Sequence, residues 1–204
     1  MSGFPRWSPD GKQIVFHSRP QGVANIFVVN AAGGQVRSVT SGRTEDYAPS
    51  WSHDGSSIYF TSTRSGEEQI WRIPEKGGQP VQVTRHGGYA GLESPDGKFL
   101  YYYPAIQAKG LWRTTVEGGS EQLVDASARN GAHALTDHGV YYMAEEQAGS
   151  SLRFCPFSGG KSEFISKVEG TVNWGLSASP DGRRILYTQT EPNQSDLILV
   201  EGGR

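Results

Sequence analysis

The sequence lacks the features that mark several functional classes. Its 204 residues contain one cysteine, Cys155, which excludes an internal disulfide framework. No apolar run approaches the roughly 20 residues that span a bilayer, and residues 1–11 lack the charged and apolar regions of a signal peptide. The formal net charge is −2, so no basic field attracts nucleic acid or anionic membranes. We expect neither partner for this domain, and both periplasm and cytoplasm stay open as its compartment.

Signals for catalysis are also missing. The sequence contains no G-x-S-x-G motif, and Cys155 falls in the middle of a predicted strand. The five histidines form no H-x-x-x-H pair, and the Gly-Gly pairs do not open helices that could cradle phosphate. We therefore expect no catalytic residue, no metal and no cofactor. A site assembled from distant strands would leave no local motif, so an enzyme stays open as an alternative.

What the sequence does contain is a repeat. The string WSPDGKQIVF at 7–16 returns as WSHDGSSIYF at 51, ESPDGKFLYY at 93, LTDHGVYYMA at 135 and ASPDGRRILY at 178. The glycine of this string recurs at steps of 44, 42, 42 and 43 residues. A second marker, a Gly-Gly pair beginning at 33, 77, 118, 159 and 202, keeps the same period. Periods of about 40–45 residues are typical of four-stranded propeller blades.

The segments between these markers predict strands. They are short and rich in β-branched and aromatic residues, and no window shows a convincing helical period. Asp-Gly and Gly-Gly suit the tight hairpins between strands, because glycine adopts positive φ without steric cost. The sequence thus predicts an all-β fold, a β-propeller of five four-stranded blades or a fragment of a larger propeller. As one domain, 1–204, its blades would span about 4–45, 46–88, 89–129, 130–170 and 171–204.

The fifth predicted blade is incomplete. The sequence closes just after its third strand, LILVEGGR, so we expect this blade to have three strands. An unpaired strand edge is a template for pairing with another chain. We therefore expect the open edge of the last blade to favour self-association.

The repeat resembles TolB-like propeller repeats, in which W-S-P-D-G-K-x-I-x-F precedes a Gly-Gly pair and a V-T strand. Two stretches, 89–119 and 175–204, are similar to the C-terminal propellers of bacterial CadC-type regulators, in which a winged-helix DNA-binding domain precedes the repeats. The ending GGR departs from that group, which usually carries an aromatic residue there. The resemblance implies a sensory or interaction module.

The segments that lead into each first strand are the best candidates for a binding surface. In a propeller they ring one mouth of the central channel, and here they carry aromatic and polar residues, which suit a binding rim. The candidate ligand-binding residues are Asp46, Tyr47, Tyr89, Glu93, His133, Asn173 and Trp174. These aromatics would equally serve as caps on the core between blades.

Two functional hypotheses follow. The first is a non-catalytic module that binds a protein or a small-molecule ligand at the channel mouth, as part of a bacterial regulator or a TolB-like protein. The second is a small propeller hydrolase or lyase with a metal in the central channel. In the second case His133, Glu93 and Asp46 would be the candidate ligands.

Overall fold

A computed structural model describes residues 2–146, 149–169, 171–191 and 194–201. Regular structure in these ranges consists of β-strands in five antiparallel sheets, four of them four-stranded and the fifth three-stranded. The fold is an all-β, five-bladed propeller, and the prediction of a three-stranded last blade is confirmed. No helix in the described ranges is long and apolar enough to cross a membrane.

Residue contacts group the chain into two compact units, 1–105 with 112–122, and 106–111 with 123–204. The first two sheets, within the first unit, comprise β1 (Ser2–Trp7), β2 (Gln13–Ser18), β3 (Asn25–Asn30), β4 (Arg37–Ser38), β5 (Asp46–Trp51), β6 (Ser57–Ser62), β7 (Gln69–Pro74) and β8 (Val81–Gln82). The third sheet comprises β9 (Tyr89–Glu93), β10 (Phe99–Tyr103), β11 (Leu111–Thr115) and β12 (Gln122–Asp125).

The last two sheets belong to the second unit. The fourth comprises β13 (Ala128–Leu135), β14 (Gly139–Glu146), β15 (Gly149–Pro156) and β16 (Glu163–Val168). The fifth comprises β17 (Thr171–Ala178), β18 (Arg184–Glu191) and β19 (Gln194–Glu201). In every sheet, strands that follow one another in sequence are neighbours in space.

Each S-x-D-G string forms a turn that its own side chains close. In the second sheet, Ser52 Oγ donates to Asp54 Oδ1 at 2.7 Å, and the same carboxylate oxygen accepts from the backbone N–H of Ser56 at 2.9 Å. Ser52 Oγ also accepts from the N–H of Ser57 at 2.9 Å. Gly55 completes the turn at φ 72°, a conformation that favours glycine. The same bonds recur in the turns of the first, third and fifth sheets.

The apolar core lies between neighbouring sheets. In the first unit, Val15, Ile26, Trp51, Ile58 and Phe60 pack between the first and second sheets. A further cluster in that unit contains Tyr59, Ile70, Val83, Leu100 and Tyr102. In the second unit the fourth and fifth sheets share a core of Ala132, Ala134, Tyr141, Met143, Leu152, Phe154, Val168, Val172, Leu176, Ile185 and Tyr187. One sheet cannot bury both faces alone, so this packing joins neighbouring blades.

β4 and β8, the fourth strands of the first and second sheets, are shorter than the sequence pattern suggests. At the end of each strand, a threonine hydroxyl takes the place of a backbone carbonyl as hydrogen-bond acceptor. The N–H of Ile26 donates to Thr40 Oγ1 at 3.0 Å, and the N–H of Ile70 donates to Thr84 Oγ1 at 2.8 Å. A side-chain acceptor satisfies the donor that a longer strand would have paired. Strands β4 and β8 therefore contain two residues each.

Candidate binding site on the first strands of the sheets

Four rings form a closed circuit at the beginnings of β1, β5 and β9 in the first unit. The ring centroids of Phe4 and His17 are 5.7 Å apart, and those of His17 and Tyr47 are 6.5 Å apart. Tyr47 lies 6.1 Å from Tyr89, and Tyr89 lies 6.4 Å from Phe4. These separations are typical of interacting aromatic pairs. We call this group of Phe4, His17, Tyr47 and Tyr89 the four-ring cluster.

A backbone irregularity places the cluster. The pairing register of β1, β5 and β9 shifts near the start of each strand, where Phe4, Ala48 and Ala90 have φ of 54°, 48° and 53°. In the second unit, Gly131 and Gly175 have φ of 79° and 113° at the corresponding irregularities. Bulges of this kind redirect neighbouring side chains and are common next to binding sites.

Tyr47 and Tyr89 differ in how they are held. The hydroxyl of the half-buried Tyr47 donates to Glu68 Oε1, whereas Tyr89 is almost fully buried. Burial raises the pKa of Tyr47, and the bond to Glu68 raises it further. Burial also raises the pKa of Tyr89. Both phenols therefore stay neutral, and Glu68 brings a carboxylate to the edge of the cluster.

His17, which reaches the cluster from β2, is not among the binding residues predicted from the sequence. Its ring needs the space beside Gly3, where an added Cβ would lie 3.0 Å from His17 Cε1. Burial lowers the pKa of His17, and Arg19 adds to this effect while Glu45 opposes it. The neutral form is therefore favoured. Its position in a second strand, outside the segments between sheets, is why the pattern missed it.

Asp46 begins β5, directly before Tyr47, but is not part of the four-ring cluster. Its side chain is fully buried, and Arg64 Nη2 lies 3.0 Å from Oδ1 and 2.9 Å from Oδ2. Ser62 Oγ also donates to Oδ1 at 2.6 Å. The Arg64 guanidinium in turn lies over Phe60 and Trp71, at 5.1 and 5.0 Å from their ring centroids. These bonds hold the carboxylate within the sheet.

The structure places Glu93 at the opposite end of β9 from Tyr89. Four residue steps along the strand separate them, a length of up to about 13 Å. Glu93 lies beside the turn of the second sheet, where its Oε1 accepts from the N–H of His53 at 3.1 Å. Its side chain is 6% exposed. Glu93 is therefore not a neighbour of Asp46, Tyr47 and Tyr89, which begin their strands.

Three candidates lie in the second unit. His133 is buried in β13, directly opposite Tyr142 in the ladder. The Tyr142 hydroxyl donates to Asp125 Oδ2 at 2.6 Å. Asn173 and Trp174 belong to β17, and their side chains lie outside the described part of the structure.

Metal ligands do not converge in the described ranges, which contain no group of three or more His, Cys, Asp or Glu side chains able to hold an ion. Cys155 is partly exposed in β15 and forms no disulfide. The four-ring cluster is thus aromatic and polar, with the Glu68 carboxylate at its edge.

Comparison with known proteins places the chain in a family. The sequence profile described as "TolB beta propeller domain" matches residues 1–174. The chain belongs to this family. No curated protein sequence matches it significantly.

Solved structures agree with this family in fold. TolB from Acinetobacter baumannii superposes with a TM-score of 0.78 at 20% identity, over 98% of this chain and 52% of that one. A TolB candidate from Agrobacterium tumefaciens gives a TM-score of 0.81 at 20% identity, over 100% of this chain and 79% of that one. A puromycin hydrolase gives 0.66 at 16% identity, over 95% and 34%. The chain therefore spans about half the length of the Acinetobacter TolB.

Proposed function

We propose that this TolB-like propeller is a non-catalytic module that binds another protein through the four-ring cluster. The observation that carries the proposal is the closed circuit of Phe4, His17, Tyr47 and Tyr89 at one end of three adjacent first strands. Aromatic residues supply a large, rigid contact area and are enriched at the energetic centres of protein interfaces. The backbone bulges hold these rings in place before any partner arrives.

The remaining residues of the site divide by position. Asp46 supports the site through its ion pair with Arg64, and Glu68 gives the partner a hydrogen-bond acceptor. In the second unit, His133, Asn173 and Trp174 occupy the first strands of their own sheets, and we propose them as part of the channel mouth. We propose Glu93 as a ligand-binding residue at the opposite end of β9, away from the four-ring cluster. A small-molecule ligand at the same mouth is the other occupant this surface would accept.

We further propose that the module is the sensory or interaction part of a bacterial regulator of the CadC type. The stretches 89–119 and 175–204 support this assignment. Its test is the coding sequence upstream of residue 1. A winged-helix domain in the same reading frame supports the regulator, and its absence rejects it.

Site-specific photo-crosslinking in cells tests the binding surface. A benzophenone amino acid at position 47 should give a discrete crosslinked species, because this ring lies partly exposed in the cluster. The same amino acid at position 81, where Val81 is 57% exposed in β8, provides the matched control. Crosslinking that is equal at 47 and 81, or absent at 47, would reject the four-ring cluster as the interface.

Metal analysis separates this proposal from the propeller hydrolase or lyase. The enzyme hypothesis requires stoichiometric Mn, Ca or Zn in the purified protein, lost on His133→Ala. The binding-module proposal requires metal content below stoichiometry in both proteins. A bound metal that depends on His133 would therefore overturn it.

Self-association through β19 is the last part of the proposal. In the three-stranded fifth sheet, β19 pairs only with β18 among the described strands. Leu197 and Leu199 on this strand are 64% and 53% exposed. We expect a concentration-dependent dimer in sedimentation velocity that a Leu197→Lys, Leu199→Lys double variant abolishes. A monomer at all concentrations would exclude this contact.

A further inference from the structure

The second unit contains a cavity that the proposed function does not use. It has a volume of about 230 Å³, and every described residue that lines it belongs to that unit. Among these residues Lys109 and Arg129 are cationic, Glu145 is acidic, and Gln107 carries an amide. A cavity of this size, smaller than the usual drug-sized pocket, suits a compact ligand.

The two cationic side chains meet at one carboxylate. Lys109 Nζ contacts Glu145 Oε2, and Arg129 Nε lies 3.8 Å from Glu145 Oε1. The contact to Arg129 is longer than a hydrogen bond, so Glu145 does not saturate the guanidinium donors. Two positive charges against one negative charge leave the described lining with a surplus of one positive charge. A cavity with this balance favours an anion.

The next carboxylate along the chain does not cancel the surplus. Glu146 Oε1 accepts from Arg153 Nη2 at 2.6 Å and from Arg153 Nε at 3.1 Å. Ser151 Oγ donates to the same oxygen at 2.7 Å. Glu146 therefore has a cation of its own, and it is not among the described residues that line the cavity.

The first unit contains a balanced form of this arrangement. There Arg19, which follows β2, pairs with Glu45, which precedes β5, and Nη1 lies 2.6 Å from Oε2. Lys109 likewise follows the second strand of its sheet, β10. Counted back from the turn glycine of its own sheet, Arg129 occupies the position that Glu45 occupies in the second sheet. The repeat thus has a cation in the fourth sheet where the second sheet has an acid.

Backbone hydrogen bonds fix the segments that carry the three charges. The N–H of Gly110 donates to the carbonyl oxygen of Ala128 at 2.9 Å, which joins the loop that carries the lysine to the start of β13. The N–H of Glu145 donates to the carbonyl oxygen of Ser127 at 2.9 Å. The arginine follows Ala128 directly, within the bulge of β13. A site whose backbone is held in this way loses little freedom when a ligand enters.

The carboxylate in the site selects among anions. An ionised carboxylate only accepts hydrogen bonds, so it contacts an oxyanion favourably only through a proton on that oxyanion. At neutral pH inorganic phosphate carries at least one proton, whereas sulfate carries none. Sulfate would place an oxygen against Glu145 with no hydrogen between them, and this repulsion would discriminate against it.

We propose that this cavity binds inorganic phosphate. Lys109 and Arg129 would donate to its unprotonated oxygens, and the Glu145 carboxylate would accept the hydrogen bond from its P–OH group. The Gln107 amide would add a further donor. Phosphate binding here does not depend on protein binding at the four-ring cluster, so either can fail without the other.

Isothermal titration calorimetry of the full chain with phosphate and with sulfate, at neutral pH and constant ionic strength, tests the site. We expect phosphate to bind at least about tenfold more tightly than sulfate, a difference of about 1.4 kcal/mol. Glu145→Gln keeps the shape of the side chain and can donate as well as accept. Sulfate should therefore bind this variant more tightly than it binds the wild type, and the preference for phosphate should disappear. Loss of the fold would not produce such a gain.

Removal of a cation gives the complementary test. We expect Arg129→Gln, once its far-UV circular dichroism matches that of the wild type, to bind phosphate at least about tenfold more weakly. Lys12→Gln is the matched control and should bind like the wild type, because Lys12 is an exposed lysine that also lies beside a carboxylate, with Nζ 3.6 Å from Asp10 Oδ2.

Several outcomes would overturn the proposal. They are no binding of phosphate to the wild type, equal binding of phosphate and sulfate, unchanged phosphate affinity in Arg129→Gln, and an unchanged preference in Glu145→Gln. Glycine, a zwitterion without net charge, would satisfy the same three side chains if the surplus charge had no role. Tighter binding of glycine than of phosphate would therefore also overturn it.

Discussion

Arg64 holds Asp46 through both carboxylate oxygens, with Nη2 at 3.0 Å from Oδ1 and 2.9 Å from Oδ2. The Asp46 side chain is fully buried and that of Arg64 is 20% exposed. Water therefore has little access to the pair, and removal of the arginine would leave a buried charge without its partner. The pair anchors the start of β5, directly before Tyr47 of the four-ring cluster.

We accordingly expect Arg64→Ala to lower the free energy of unfolding by about 3 kcal/mol. Urea denaturation followed by tryptophan fluorescence measures the change. Adding Asp46→Ala should recover part of the loss, because no unpaired charge then remains. The exposed Arg43, changed to alanine, is the control and should leave the stability unchanged. Equal stability of Arg64→Ala and wild type would contradict the prediction.

The hydrogen-bonded S-x-D-G turns predict that the folded protein loses stability at acid pH. Hydrogen bonds from Ser52 and Ser56 lower the pKa of Asp54 to about 2. Serine hydroxyls and backbone N–H groups likewise lower the pKa of Asp10, Asp96 and Asp181. A folded pKa below the unfolded one gives stability that is complete above about pH 4 and is lost as pH falls through the folded pKa.

The free energy of unfolding should therefore decrease as pH is lowered from about 5 to 2. The free energy of unfolding of the Asp54→Asn variant should fall less over this pH interval than that of the wild type. Urea denaturation at several pH values measures both slopes. Glu67→Gln, at an exposed loop position, provides the comparison, and an Asp54→Asn slope equal to that of wild type would refute the assignment.

The buried tyrosine hydroxyls predict that the folded protein loses stability at alkaline pH. Burial raises the pKa of six of the nine tyrosines, namely Tyr47, Tyr59, Tyr89, Tyr102, Tyr142 and Tyr187. A folded pKa above the unfolded one gives stability that is complete below about pH 10 and is lost as pH rises through the folded pKa. The five with the largest shifts, Tyr47, Tyr59, Tyr89, Tyr102 and Tyr142, should stay protonated at about pH 10.5 while the chain is folded. Absorbance at about 295 nm measures their ionisation, and the denatured chain, in which all tyrosines titrate near pH 10, is the reference.

Gly175 tests the bulge in the fifth sheet. Its φ is 113°, and a Cβ added there would meet no atom of the described residues within 4 Å. Gly175→Ala thus isolates the backbone cost, which we expect to be about 1–2 kcal/mol in the free energy of unfolding. Ser177→Ala, at an exposed position in the same strand, should cost much less. Two alanine variants of equal stability would show that the bulge is not strained.

Much of the fold could be predicted from the sequence, because local chemistry decides it. The S-x-D-G string encodes its own turn through bonds between residues no more than five apart, such as those among Ser52, Asp54 and Ser57. A period of about 42 residues then repeats the sheet. The short β4 and β8 were harder to foresee, since Thr40 and Thr84 end them through a side-chain bond to a neighbouring strand.

The candidate site was predicted less completely, because it depends on contacts between distant residues. Asp46 and Tyr47 are adjacent in sequence, but one turns into the sheet toward Arg64 and the other toward Glu68. Residues 85–93 include the whole of β9, so Tyr89 and Glu93 lie at opposite ends of this strand. Pattern alone gives no indication that Tyr89 and Glu93 are separated in this way.

The S-x-D-G turns, which their own side chains close, also affect how the chain folds during translation. Each blade is built from consecutive residues, and its first hairpin is complete within some twenty of them, as with Asp46 and Ser62 in the second sheet. Translation proceeds at about 5–20 residues per second, far more slowly than the microseconds a hairpin needs. Every hairpin can therefore form as it leaves the ribosome, and the nascent chain presents one new edge at a time to chaperones and neighbours.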